Sequence, residues 1–126
     1  MQTEVLSQHT DPGLRVYMVW VPKSRGLERD VPAATTQYPD ARAQHFWDAP
    51  GVLVRAYRDR LRLSEDAWDI YLLYGPEARW TGELPPEPLY WSHQLGSKEK
   101  PRVDGPWLDG RVFLEKLRQA AASAAK

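Results

Sequence analysis

The chain has 126 residues, 42% of them apolar and 27% charged. That suits one folded domain able to bury about two thirds of its unfolded surface, and it excludes disorder throughout. Seventeen basic residues cancel seventeen acidic ones, which removes the global field of a dedicated nucleic-acid binder. There is no cysteine, so neither disulfide staples nor dithiol–disulfide chemistry can come from the residues present.

The first ten residues carry no basic start and no apolar run, so they do not read as a signal peptide. No apolar stretch approaches the ~20 residues that span a bilayer. With Met1 taken as the start, these features lead to the expectation of a cytoplasmic protein that contacts neither membrane nor nucleic acid. Asp11-Pro12-Gly13 reads as a turn and Leu14 to Val21 (LRVYMVWV) as a buried strand, because its apolar run is continuous. A glycine-containing polar loop follows, then a short helix over Leu27 to Tyr38. Ala41 to Trp47 (ARAQHFW) reads as a second, weaker strand.

Asp48 can cap the next helix, with Pro50 in its first turn. That helix spans about Gly51 to Leu63, with Leu53, Tyr57 and Leu61 on one face and Arg55, Arg58 and Arg62 toward solvent. Trp68 to Tyr74 (WDIYLLY) is the second strong strand, stopped by Gly75-Pro76. Glu77 to Pro88 is a proline-rich turn region, and Leu89 to Leu95 is its hairpin partner. Gly96 to Gly105 is a charged loop. Asp109 can cap a closing helix from Gly110 to about Ala124, with Phe113, Leu114, Leu117 and Ala121 as its inner stripe. The order is β-α-β-α-β-β-α, which implies an α/β sandwich with helices on a mixed sheet of about four strands.

This order, and three phrases within it, resemble the thioredoxin-like superfamily of the peroxiredoxin and thiol-disulfide reductase type. The phrases are LRVYMVWVP, FWDAPGVLVRAYRDRL and WDIYLLYGPEARW, with Asp48, Gly51, Val52, Ala56 and Tyr57 matching an aspartate, a glycine turn and an Ala-Tyr helix. The resemblance implies a three-layer sandwich and a single domain. Residues 1–13 would be a helix remnant and turn, 14–95 the core, 96–108 a loop and 109–126 the C-terminal helix. It also implies a catalytic strand with a Cys-x-x-Cys, central in the sheet between the strands corresponding to Leu14–Val21 and Trp68–Tyr74. Neither is present. The cis-proline that the family places before the second strand is missing as well, since Ser64-Glu65-Asp66-Ala67 holds none.

Without the central strand, two apolar strands keep unpaired backbone edges, and each buried unpaired group costs about 1–3 kcal/mol. Three outcomes are open: the two strands pair directly, another chain supplies the strand, or Met1 is an internal methionine of a longer protein that carries the motif upstream. The expectation taken is the last. On it, this chain is the C-terminal part of a thiol-disulfide oxidoreductase-type protein and is not itself catalytic. The alternative is a stand-alone protein-interaction or homodimerisation module that uses its aromatic strands and the Trp80–Trp91 hairpin, with open strand edges as a further route to a protein partner or a second copy.

Other constellations carry less. His9, His45 and His93 with Asp48 or Asp69 could in principle ligate a metal, but no close spacing recommends it, and no cofactor is expected. The arginines at 42, 55, 58, 60, 62 and 79 are interleaved with Asp59, Glu65 and Asp66, which marks a solvated face with local ion pairs. Ser64, Ser92 and Ser97 lack nucleophile context. The stretch from Trp80 to Trp91, rich in aromatics and proline, is the candidate interaction surface: Trp80, Pro85, Pro86, Tyr90, Trp91 and His93. Its alternative is a stiff hairpin connection.

Overall fold

The computed structural model describes residues 8, 9, 11, 13–21 and 41–124. The helix expected over Leu27 to Tyr38 lies outside them. The chain divides into two compact units, Met1–Val52 and Leu53–Lys126.

In the first unit the Asp11 carboxylate accepts the Gly13 N–H at 2.8 Å, and its carbonyl accepts that of Leu14, forming the expected turn. Strand β1 (Val16–Trp20) then pairs in parallel with β2 (Ala43–Trp47), register Val16 to Ala43 through Trp20 to Trp47. The pair is one-sided rather than buried. Val16, Met18, Trp20, Ala43, His45 and Trp47 are half-buried on one face, whereas Tyr17, Val19, Gln44 and Phe46 are exposed on the other.

In the second unit, α1 (Val52–Leu61) starts where Asp48 Oδ1 accepts the Val52 N–H. It ends in a left-handed cap: the Leu63 N–H reaches the Arg58 carbonyl and the Arg62 N–H reaches that of Asp59, with Arg62 at φ 57°. Strand β3 (Ile70–Leu73) pairs antiparallel with β4 (Tyr90–His93). Helix α2 (Gly110–Ala124) is capped by Asp109, whose Oδ1 accepts the Arg111 and Val112 amides. Its Phe113 stands edge-on to Tyr90, with ring centroids 5.7 Å apart. The buried apolar side chains among the described residues are Ala67, Leu73, Leu95, Val103, Phe113 and Leu117, all in this unit.

The expected four-stranded mixed sheet with flanking helices is not what forms. There are two separate two-stranded sheets, one parallel and one antiparallel, and no ladder joins β1 to β3. The physical reason is that each apolar strand finds a single partner and stops there. Helix content among the described residues is α1 and α2. No helix there is long and apolar enough to cross a membrane.

Candidate functional site: the open strand edges and the hairpin

Ladder geometry fixes which backbone groups remain available. In the parallel pair, the Val16 N–H donates to the Arg42 carbonyl and the Asp48 N–H to that of Trp20. Parallel alternation therefore turns the amides and carbonyls of Val16, Met18 and Trp20 toward β2, and those of Tyr17 and Val19 away from it. In the antiparallel pair, the Gln94 N–H donates to the Asp69 carbonyl, so Tyr71 and Leu73 face β4 while Ile70 and Leu72 face outward. Among the described residues, none of these four outward-facing residues has a backbone partner. Both β1 and β3 are thus bonded on one side and open on the other.

The far side of β4 is closed at His93. The His93 N–H donates to the Pro106 carbonyl, and its own carbonyl accepts from Leu108. The side chain of His93, fully buried, holds the intervening loop: Nδ1 accepts the Leu95 N–H at 3.0 Å, and Nε2 lies 3.2 Å from the Gly105 carbonyl. With Nδ1 accepting, the ring proton sits on Nε2 and donates to Gly105. Both ring nitrogens are committed, with Trp91 and Trp107 beside the ring. His93, expected on the interaction surface, is instead a fully buried pin within the unit.

The remaining candidate surface residues are mostly turned inward too. Pro85 is fully buried, and its carbonyl accepts from Arg60 Nε at 2.7 Å. The Pro86 carbonyl accepts from the Tyr74 hydroxyl at 2.6 Å, and Tyr74 meets the Tyr57 hydroxyl at 2.7 Å. Prolines offer no N–H, so these carbonyls are the segment's handles, and both are held. Burial and the neighbouring Tyr57 hydroxyl push Tyr74 well above the ordinary tyrosine value of 10.0. Burial raises Tyr57 too, partly offset by its bond with Tyr74. Tyr90 lies half-buried between Phe113 and Lys116, and Trp91 is half-buried. Of the six, Trp80 alone is exposed, at 46%, edge-on to Tyr57 with Nε1 on the Gly82 carbonyl. The stretch is a stapled connection rather than a contiguous face.

Beside it lies a depression of about 520 Å³ that includes Arg60, Arg79, Thr81, Glu83, Leu84 and Pro86 in its wall. Its cations are already engaged: Arg60 with Pro85 and Glu87, Arg79 with the carbonyls of Pro76 and Ala78. Asp69 is raised above the usual carboxylate value by burial, opposed by the Tyr71 hydroxyl bond. His45 accepts from Trp20 Nε1 at 3.0 Å, which leaves its buried Nε2 proton without a partner among the described residues. Among those residues, no three His, Asp or Glu side chains converge as metal ligands. Matched against protein-family models, curated proteins and solved structures, the chain finds no counterpart in any of them.

Proposed function

We propose that this chain is the cysteine-free, non-catalytic portion of a thiol-disulfide oxidoreductase-type protein. On this reading it offers the open edge of β3 to an extended segment that bears the reactive thiols. The observation carrying the reading is that edge: the N–H and C=O groups of Ile70 and Leu72 face outward with no partner among the described residues, on an apolar strand with no edge-blocking charge. The phrases LRVYMVWVP, FWDAPGVLVRAYRDRL and WDIYLLYGPEARW, which resemble the thiol-disulfide reductases, supply the class of partner. The chain's own part is binding and positioning. Main-chain bonds from Ile70 and Leu72 give affinity, and alternating side-chain contacts give register.

The test is intact-mass analysis of the protein from its own cells, with and without thiol alkylation, beside a Leu72→Pro variant. Proline at 72 removes an outward N–H but spares the bonds to β4. A thiol-bearing segment, in the same polypeptide or tightly bound and released by Leu72→Pro, supports the reading. A 14.5 kDa cysteine-free species that retains no thiol-bearing partner refutes it. The Trp80–Trp91 stretch supports partner binding less well, because its proline carbonyls and His93 are already bonded inward.

A further inference from the structure

The edge of β1 differs from that of β3 in what it displays. Its outward-bonding residues, Tyr17 and Val19, are also its exposed ones, at 62% and 37%, and Phe46 beside Val19 is 48% exposed. The ring centroids of Tyr17 and Phe46 lie 6.2 Å apart, so the patch is continuous. Strand β1 reads Val-Tyr-Met-Val-Trp, with no lysine, proline or inward charge to discourage pairing. A two-stranded parallel sheet with one face open is also unusual, because parallel sheets are normally covered on both faces.

We propose that β1 is a self-recognition edge, and that two copies of this chain pair β1 to β1 antiparallel about a two-fold axis at Met18. This uses the first unit's sheet and does not depend on the redox reading, which uses β3. The register follows from the ladder. Only odd-numbered residues present outward backbone groups, so a two-fold at Met18 sets Tyr17 opposite Val19 of the second copy, and Val19 opposite its Tyr17. Each such pair exchanges both N–H···O bonds.

The side chains suit that arrangement. Tyr17 and Val19 form an aromatic–β-branched cross-strand pair, a favourable kind. On the exposed face the row becomes Gln44, Tyr17, then Val19 and Phe46 of the second copy. The two Arg15 side chains fall about 20 Å apart, from six strand residues at ~3.4 Å each, so they are mutually screened. Seventeen charges of each sign leave no net repulsion between copies. The edge is complementary to itself, and this makes a second copy the occupant.

The absence of cysteine permits a clean test. Met18 would sit on the axis in a non-hydrogen-bonded pair, with Cα atoms about 4.5 Å apart, within disulfide range. Gln44, one strand removed, would be about 16 Å from its copy. Under mild oxidation Met18→Cys should give a covalent dimer, and Gln44→Cys should not. Sedimentation of the full chain at about 100 µM should show a dimer that is lost in Val19→Pro and in Tyr17→Lys. Val19→Pro deletes an outward N–H while sparing the bonds to β2, and far-UV circular dichroism reports whether it still folds. Tyr17→Lys decides the matter if it does not. A monomeric wild type, a dimer that survives Tyr17→Lys, or Met18→Cys crosslinking no better than Gln44→Cys would overturn the proposal.

Discussion

Gly105 is the position where a single methyl group tests the packing around His93. Its φ of +115° is a conformation L side chains rarely adopt, and a Cβ there would stand 2.6 Å from Trp91 Cζ2 and 3.2 Å from Cζ3. Gly105→Ala therefore carries two costs. The backbone conformation contributes about 1–3 kcal/mol. Displacing a half-buried indole contributes about another 1–3. The expected loss is roughly 2–6 kcal/mol, against a typical domain stability of about 5–15. The ring has little room to retreat, since His93 lies beside it and the Gly105 carbonyl must stay on the imidazole. Guanidinium denaturation followed by far-UV circular dichroism reads the loss without relying on Trp91 fluorescence. In a Trp91→Ala background the steric part disappears, and Gly105→Ala should cost only about 1–3 kcal/mol more. Gly82→Ala serves as the control, because nothing lies within 4 Å of its added methyl. A Gly105→Ala variant within about 0.5 kcal/mol of wild type, or one equally costly with and without Trp91, would refute the reasoning.

Arg62 occupies the left-handed cap of α1 at φ 57°, where glycine is the usual residue, so Arg62→Gly should stabilise by about 0.5–1 kcal/mol in the same assay. Ser92 is fully buried and its Oγ has no partner among the described residues. Ser92→Ala should therefore raise stability by about 1 kcal/mol, and a loss of similar size would show that the hydroxyl is satisfied. Tyr57 and Tyr74 are raised above 10.0, so the folded state holds their protons more tightly than the unfolded state. Their contribution is fully present below pH 10.0 and is lost as pH climbs through the folded values. Ultraviolet titration should show tyrosines ionising later than in denaturant. Tyr74→Phe should flatten the alkaline loss while costing about 1 kcal/mol at neutral pH, from its bond to the Pro86 carbonyl.

Local signals in the sequence are faithful to local structure. Asp48 and Asp109 cap the helices expected of them, the Asp11–Gly13 turn forms, and the two apolar runs become β1 and β3. Pairing was the illegible part. Continuous apolar character in LRVYMVWV suggested cover on both faces, yet the strand alternates, with Tyr17 and Val19 on an exposed face. The second failure was the charged loop expected from Gly96 to Gly105: it buries Val103 close after the buried Leu95 that ends the expected strand, and positive φ at Gly96 and Gly105 lets the chain fold back onto His93. Two apolar residues bracketing a charged run between glycines were the signal. Their weight depends on a buried histidine whose burial no local rule shows.

Among the described residues, the sheet edges differ in how they are protected. Natural edge strands carry lysine, proline, a bulge or cover that discourages pairing. Strand β4 has such cover, since the Pro106–Leu108 segment takes up both backbone groups of His93. Among the described residues, strands β1 and β3 have none, although they are the two most apolar strands there. The same asymmetry appears in the core: the buried apolar side chains lie in Leu53–Lys126, while the described part of the first unit buries none and leaves the His45 Nε2 proton unanswered. An apolar strand left open on one side and unprotected there is a template for pairing with another strand. The Ile70–Leu72 edge and the Tyr17–Val19 edge are therefore the groups on which the proposed thiol-segment and self-pairing contacts depend.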